Sequence, residues 1–560
     1  MSKNIVSVAP FIEKAGDAAA GVEQAVAHAL AHGISTVFFP KGTYDLRRFT
    51  TIDAPSIAHD DGCGDISEKD CHIVLRDIDG LTLLGECDEK GTPASILAGL
   101  NPQTPQTLLP SILWCERCRS LTLRNLAFTR RPECAFYGVV KAVRGDELIF
   151  SPLPGSPHYD GMPAYCMNRF NLKARSLLGE SLTFGFGFDK RWRALQDGTY
   201  SLCDRALAQR IREGEGLSFH QAGKTDFQLF FGGCDELYLD NVRIYNANSF
   251  AILTEACENI RARRLVIAPR EGAMFAGPRD GWKIYRCTGD ITLDSCHIEG
   301  VRMDGQNVHS NFMILKEIVS EAIAVFSCKY APIPLRRGAD MEFYDGCDIF
   351  TRRITAFKIL GGETLRAEQD TKQGAAMIAG NETHSTLYRI TFESPLPDFA
   401  LPGTLCAPRC WEPARYVCRD TTFRNIAGAG HLLRCGDVLI ERCTYQNMMN
   451  AGVLLGAELS THCEGGHATG VTIRGCTFQN CGFRPRYGEF GCGCVAVKSQ
   501  GFDGPYNRDI FIENNTFLDS QRALEIRDAK NVRVTGNHYR GILKRCLIDE
   551  ATTEDIQVDD

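Results

Sequence analysis

The chain has 560 residues, of which 44% are apolar and 23% are charged, as in an ordinary soluble protein. A net charge of −7 at pH 7 leaves no basic footprint, so nucleic acid is not an expected partner. No stretch approaches the roughly 18 uninterrupted apolar residues of a membrane span, and no membrane association is expected. The first residues lack an apolar run of signal-peptide length, which predicts a cytoplasmic protein unless a leader has been removed.

The 25 cysteines are an odd number, and many of them lie inside strand-like runs. Cysteine behaves as a small buried hydrophobe, and disulfide frameworks belong mainly to small secreted domains. Cys115 and Cys118 form a C-x-x-C pair, but no second pair follows at the spacing of a zinc ribbon. We therefore expect reduced thiols in a core and no metal site.

Residues 17–33 predict one amphipathic helix near the start of the chain. Its apolar face is marked by Val22, Val26 and Leu30, its start by Asp17 and its end by Gly33. The run 36–44 that follows is strand-like and ends in a Pro/Gly turn. A helix followed by such a strand resembles the N-terminal cap of right-handed parallel β-helix enzymes that act on polysaccharides. There the helix covers an otherwise open sheet edge.

One short sequence motif of alternating apolar and polar residues recurs along the chain. It reads L-T-L-R-N-L-A-F from Leu121 and V-T-I-R-G-C-T-F from Val471, and the copies at Leu237 and Ile260 begin 23 residues apart. The alternation predicts strands with one buried face, and the Asn or Gly marks a corner where the chain bends. A motif that repeats about every 23 residues predicts an all-β fold, a right-handed parallel β-helix (solenoid) with an N-terminal capping helix.

Two stretches lack the repeated motif and contain short strands separated by turn residues. This pattern predicts small β-barrel-like insertions. The expected organisation is an N-terminal cap with the first windings, a strand-rich insertion with an irregular segment, windings that carry a pair of acids, a barrel-like insertion, and C-terminal windings with a tail. These regions span residues 1–135, 136–230, 231–312, 313–405 and 406–560.

Two aspartates, each followed by glycine, stand 24 residues apart at Asp280 and Asp304. In a coil of about two dozen residues per turn this spacing is one winding, and neighbouring strands lie roughly 4.8 Å apart. Two carboxyl groups held side by side cannot both ionise freely, so one can donate a proton while the other activates water. Asp-Gly is also common turn chemistry, which leaves a purely structural role open.

Two segments carry a family likeness: R-D-G-W-K-I-Y-R-C-T-G-D-I-T-L-D-S-C-H-I-E-G-V-R-M-D-G-Q-N-V-H-S from Arg279, and A-E-L-S-T-H-C-E-G-G from Ala457. They resemble glycoside hydrolase family 110, the β-helical exo-α-1,3-galactosidases of the blood-group-B-cleaving type, and the likeness covers roughly residues 230–485. The resemblance implies an inverting glycosidase that needs no cofactor. It also implies a glycan with terminal galactose as substrate, and a homodimer.

The same resemblance assigns roles to individual residues. Asp280 and Asp304 are implied as general acid and general base, in an order that stays open, with Glu464 as a substrate contact or a competitor for one of those roles. Asn307 and His309 alternate along one strand and are expected to bind sugar hydroxyls. Further substrate contacts are expected from Glu458, Lys283 and Trp282.

Two departures from the family pattern bear on the substrate. Met303 precedes Asp304 where the family often has a second acid, and His462-Cys463 stands where it has an aromatic pair. A sugar usually rests its apolar face on an aromatic ring, so another platform is needed. Trp282 and Tyr487 are the candidates.

Two other classes of function stay open from the sequence. A polysaccharide lyase or epimerase on the same scaffold would need Ca²⁺ or basic residues to neutralise a uronate, and no dense D-x-D cluster is seen. A non-catalytic β-helix that binds glycans would not need a working acid pair.

Overall fold

The structure is a computed structural model, and it describes residues 4–53, 68–101, 109–179, 182, 190–221, 227–329, 333–364, 384–459, 463–483, 493–501 and 504–559. Two helices, Ala9–Ala15 and Ala18–Ala31, precede the first full winding. Asp17 caps the second helix as predicted, because its carboxylate accepts a hydrogen bond from the Ala20 N–H at 2.9 Å. Within these ranges no helix has the length and apolar character needed to cross a membrane.

Three long sheets wind around one apolar core. Their strands run parallel except for Thr50–Asp53, which pairs antiparallel with Glu68–Arg76. The first coil sheet contains Ile5–Ser7, Thr36–Phe39, Thr82–Gly85, Thr122–Arg124, Asp235–Asp240, Glu258–Arg263, Thr288–Asp294, Arg415–Arg419, Gly436–Glu441, Thr469–Arg474, Asn507–Glu513, Ala529–Thr535 and Thr553–Asp559. The second coil sheet contains Gly42–Leu46, Ser95–Leu100, Leu126–Arg131, Arg243–Ile244, Val266–Ile267, His297–Glu299, Thr422–Ile426, Thr444–Met448, Thr477–Cys481, Thr516–Leu518 and His538–Arg540. The third coil sheet contains Thr50–Asp53, Glu68–Arg76, Ser111–Glu116, Phe227–Gly232, Phe250–Glu255, Trp282–Tyr285, Gln306–Asn311, His431–Leu433, Val453–Leu455, Gly493–Val497, Arg522–Ile526 and Lys544–Ile548, with Glu464–Gly465 paired at its side. The predicted all-β parallel coil is confirmed.

Two insertions leave the coil. The first is a seven-stranded antiparallel sheet made of Ala135–Arg144, Glu147–Pro152, Tyr165–Asn171, Ser176–Leu178, Arg193–Ala194, Tyr200–Cys203 and Gly216–His220, with a short helix at Arg205–Ala208. Among the described residues its outermost strands, Ser176–Leu178 and Arg193–Ala194, do not pair with each other, so the sheet is open there. The second is a closed barrel of Met313–Ser320, Ile323–Lys329, Asp340–Tyr344, Ile349–Thr364, His384–Phe392 and Leu405–Pro408, followed by a 3₁₀ turn at Arg409–Trp411.

The capping helix packs on the coil through a face slightly rotated from the predicted one. Val22 and Val26 are buried as expected, but Leu30 is 45% exposed. Ala25 and Ala29 are fully buried and fill the contact instead. The prediction for Leu30 was wrong because small alanines, which a search for large apolar residues overlooks, make the closest contact with the sheet.

The register of the windings stacks like residues on top of each other in the core. Phe423, Tyr445, Phe478 and Phe517 lie in a column with ring centroids 4.8–5.2 Å apart and rings within about 10° of parallel. Cysteines form similar columns, as expected for reduced core thiols.

A buried asparagine, Asn515, links the corners of three C-terminal windings through hydrogen bonds. The Asn515 side chain accepts a hydrogen bond from the Cys476 N–H at 2.9 Å and donates to the Ile473 carbonyl at 2.9 Å. Its own backbone N–H donates to the Asn537 side chain at 2.9 Å. Asn515 has no exposed surface, so water cannot replace these bonds.

We expect Asn515→Ala to lower the free energy of unfolding by about 1–3 kcal/mol for each of the two backbone groups left unpaired. Chemical denaturation followed by circular dichroism measures the loss. The exposed Gln557 on the last strand of the first coil sheet gives the control, since Gln557→Ala removes no buried bond. Equal stability of the two variants would contradict the corner-linking role.

Five histidines are buried among the described residues, and burial lowers the pKa of each ring. The pKa falls to about 4 for His72 and His467 and to about 3 for His220, His309 and His431. An unfolded histidine has a pKa of about 6.5, so the unfolded chain binds more protons than the folded chain below that pH. The stability contributed by these neutral rings is therefore present above about pH 6.5 and is lost as the pH falls.

We predict that the melting temperature falls between pH 7 and pH 5, as measured by calorimetry at constant ionic strength. His220 offers the sharpest variant, because neither of its ring nitrogens has a hydrogen-bond partner among the described residues. His220→Gln should make the fall shallower, whereas His538→Asn, at an exposed position, should leave it unchanged. A melting temperature that is flat or rises towards pH 5 would show that the buried rings are not neutral.

Candidate functional site

The candidate site lies on the outer face of the third coil sheet, where two successive windings carry polar residues. Lys283 on one strand lies opposite Asn307 on the next, and Tyr285 lies opposite His309. Side chains alternate along a strand, so these four share one face. Each of them is buried, with at most 4% of its surface exposed.

The structure corrects the expectation for Trp282. Its side chain belongs to the core of the coil, has no exposed surface, and donates from its indole Nε1 to Thr254 Oγ1 at 3.2 Å. Strand alternation places it on the face opposite Lys283, so its ring cannot present a platform to a sugar. Tyr487, the other candidate platform, lies outside the described residues.

The polar side chains of this face surround one buried carboxylate, that of Glu464. Asn307 Nδ2 donates to Glu464 Oε1 at 3.3 Å, and Lys283 Nζ lies 3.9 Å from the same oxygen. His309 Nε2 lies 3.4 Å from it. Arg434 forms a close ion pair with Oε2 and also donates to Asn307 Oδ1 at 3.3 Å. Two cations therefore stabilise the negative charge of this carboxylate where little water reaches it.

His309 is neutral in this setting. Burial lowers the pKa of its ring to about 3, although the charge of Glu464 acts in the opposite direction. Nδ1 lies 2.8 Å from the Ser310 carbonyl oxygen, which assigns the ring proton to Nδ1 and leaves a lone pair on Nε2. Nε2 has no hydrogen-bond partner among the described residues. The lone pair and Glu464 Oε1 are thus two adjacent acceptors, suited to a hydroxyl group that donates between them.

Asp280 and Asp304 lie on neighbouring windings, as their spacing predicts. The Asp304 N–H donates to Asp280 Oδ1 at 3.2 Å, and the Ala429 N–H on the following winding donates to Asp304 Oδ1 at 2.7 Å. One oxygen of each carboxylate therefore fixes the backbone of the next winding. Asp280 is 4% exposed and Asp304 is half-buried, so Asp304 is the more accessible of the two.

The strand Gln306–Asn311, which carries Asn307 and His309, is called the site strand. The strand Glu464–Gly465 pairs antiparallel with its C-terminal end. Ser310 pairs with Gly465 and Asn311 pairs with Glu464. Glu458 reaches the same place, because its N–H donates to the Glu464 carbonyl at 3.1 Å and its side chain is buried. The residues that the structure brings together here are Lys283, Asn307, His309, Glu458 and Glu464, with Asp280 and Asp304 three residues before Lys283 and Asn307.

Arg434 is the site residue that sequence reasoning missed. Its signal was present, because Leu432 lies opposite Asn307 and Arg434 follows two residues later on the same face. A count of strand alternation from one winding to the next would have placed it beside His309.

The polar site is bordered by an apolar strip on the next windings of the same face. Leu432 lies opposite Asn307, Leu454 opposite Leu432, and Ala496 opposite Leu454. These three side chains pack together as a separate cluster outside the coil core. Among the described residues, no group of three or more His, Cys, Asp or Glu side chains is arranged to hold a metal ion.

A family model and several known proteins are similar to this chain. A family model described as a right-handed β-helix region matches residues 410–550. The chain is 22% identical over 353 residues to an α-1,3-galactosidase A of Akkermansia muciniphila, covering 62% of this chain and 55% of that protein. It is 22% identical over 545 residues to an α-1,3-galactosidase B of Bacteroides thetaiotaomicron, covering 91% and 80% respectively. A solved structure, an exopolygalacturonase from Thermotoga maritima, is 10% identical with a TM-score of 0.40, covering 98% of this chain and 91% of that chain.

The chain spans about half the length of the first curated relatives it matches. The sequence likeness extends through the site strands into the C-terminal windings when the longer alignment is taken. The predicted handedness is confirmed by the family model. This chain is a right-handed parallel β-helix protein similar to the α-1,3-galactosidases, as its resemblance to glycoside hydrolase family 110 predicts.

Proposed function

We propose that this protein is a glycoside hydrolase, an exo-acting α-galactosidase that removes terminal α-1,3-linked galactose from glycans with inversion of configuration. The observation that carries the proposal is the stacking of Asp280 on Asp304 at the start of the two strands that carry Lys283 and Asn307. Relatives named α-1,3-galactosidase support the choice of substrate.

The two aspartates take the acid and base roles in this proposal. An inverting glycosidase needs one carboxylic acid to protonate the leaving oxygen and one carboxylate to activate water, with about 6.5–9.5 Å between them. One oxygen of each aspartate accepts a backbone N–H from the next winding, which holds both carboxyl groups in place on the sheet. Glu464 takes no proton-donating role, because Lys283 and Arg434 favour its ionised form.

The remaining polar groups bind the sugar. Glu464 and the Nε2 lone pair of His309 accept hydrogen bonds from hydroxyls, and Lys283 and Asn307 supply donors. The apolar strip that begins at Leu432 borders the sugar on one side. The homodimer and the cytoplasmic location stay predictions.

We expect hydrolysis of linear or branched oligosaccharides with terminal α-1,3-galactose, followed by NMR, to release β-galactose first. Asp304→Asn and Asp280→Asn should each lower kcat by about 10²-fold or more, the usual contribution of a general acid or base. Asparagine keeps an oxygen that can accept the bond from the next winding, so folding is preserved and only the ionisable group is lost.

Asp290→Asn is the matched control, because this aspartate is exposed on the first coil sheet and its backbone N–H, which the substitution keeps, donates to Asn259 Oδ1. α-Galactose as the first product would contradict inversion. Full turnover by Asp304→Asn would remove the acid pair from the mechanism. An unsaturated product that absorbs in the ultraviolet and requires Ca²⁺ would show a lyase instead.

A further inference from the structure

A second group of charged and polar side chains, buried except for the partly exposed Arg409, lies where the barrel returns to the coil. We call it the junction cluster; it consists of Glu342, Tyr344, Arg409, Glu412 and His467. The barrel and its 3₁₀ turn supply four of these residues, and His467 follows the strand Glu464–Gly465. The proposed chemistry does not use any of them.

The junction cluster is short of positive charge. Arg409 forms a close ion pair with Glu412 Oε2, and its Nε lies 3.5 Å from Glu342 Oε1. Tyr344 donates to Glu342 Oε2 at 2.8 Å, and His467 Nδ1 lies 3.6 Å from the same oxygen. Burial lowers the pKa of His467 to about 4, so this ring is neutral at pH 7. One guanidinium therefore serves two buried carboxyl groups.

Glu412 contacts the backbone that carries the site residues from two sides. Ser310 Oγ lies 3.5 Å from Glu412 Oε1, and the carbonyl of Ser310 accepts the ring proton of His309. On the other side, a Cβ atom at Gly466 would lie 3.1 Å from Glu412 Oε1, so the chain just after Glu464 passes directly over this carboxyl group. A change in the charge or position of Glu412 would therefore affect the positions of both His309 and Glu464.

The protonation of Glu412 changes near neutral pH. Burial raises the pKa of this carboxyl group to about 7, the Arg409 guanidinium opposes the shift, and the charge of Glu342 adds to it. Above that pH the carboxylate accepts from Ser310 and pairs with Arg409; below it the ion pair is lost. The other titratable groups that interact with Glu412 are Tyr344, Cys410 and Cys435. His467 faces Glu342, Arg409 and Arg508.

We propose that Glu412 is a positioning residue through which the barrel insertion holds His309 and Glu464 in the geometry that binds the sugar. It acts through Ser310 and the backbone at Gly465–Gly466 and does not contact the substrate. The kinetic part of this inference rests on the proposed function. The structural part does not, because it concerns contacts between the barrel and the site strand.

The direct test follows the ring of His309 by ¹⁵N NMR between pH 5.5 and 8.5. His309 itself does not titrate there, since burial lowers its pKa to about 3. We expect its ring signal to shift with a midpoint near pH 7 in the native protein and to stay flat in Glu412→Gln. Glu342→Gln should move the midpoint to lower pH, because it removes the charge that raises the pKa of Glu412.

The kinetic test compares kcat and KM for the same variants. In the native protein we expect kcat to fall below pH 7, because Glu412 gains a proton there and its ion pair with Arg409 is lost. Glu412→Gln should lower kcat by about 10-fold or more, as displaced site groups do, and should remove this pH dependence. Asp340→Asn is the control, because this barrel carboxylate is 45% exposed and its partner Arg353, 3.5 Å away, is also exposed. It should leave both the NMR midpoint and the rates unchanged.

A His309 signal that is flat across pH 7 in the native protein, or that still shifts in Glu412→Gln, would overturn the proposal. Should Glu412→Gln fail to fold, an unmoved midpoint in Glu342→Gln would overturn it equally. If no galactoside is hydrolysed, the proposed function fails, and the NMR result alone decides the role of Glu412.

Discussion

Backbone hydrogen bonds between successive windings of the third coil sheet determine which side chains meet at the candidate site. They set Lys283 opposite Asn307, and a slip of either strand by one residue would turn its own polar side chain towards the core. The glycines after the two aspartates show how closely the windings pass. A Cβ atom at Gly281 would lie 2.6 Å from the Gly305 carbonyl oxygen, and one at Gly305 would lie 2.6 Å from that of Gly430. The register is therefore locked at the point where the acids stand.

Burying the charged side chains of the site costs free energy, so their presence needs an explanation other than stability. Glu464, Lys283 and Arg434 have side chains that are 7% exposed or less, and such groups persist only when paired. Apolar residues of similar size would often stabilise a fold as well or better. A buried carboxylate with two cations and an adjacent imidazole lone pair is better explained by recognition of a polar ligand than by stability.

The sequence predicted what depends on local repetition and missed what depends on distant chain segments. Alternation and winding length placed Asp280 on Asp304, because a solenoid repeats one unit. The same alternation also excludes Trp282 from the face of Lys283, since neighbouring residues on a strand point in opposite directions. Glu464 stands more than 150 residues beyond Asp304 and was reached only through the family resemblance. Arg434 lies beyond the barrel, and the barrel interrupts the count of windings.

The two interpretations of the Asp-Gly pairs, turn chemistry and acid–base chemistry, are compatible in this fold. A carboxylate has two oxygens, and in Asp280 and Asp304 one of them accepts the N–H of the next winding. That bond holds the carboxyl group at a fixed place on the sheet and fixes the direction of the second oxygen. Catalytic groups need such preorganisation, and here the backbone of the coil supplies it. The bond that gives each aspartate a structural role is thus also what would hold its carboxyl group in position as an acid or base.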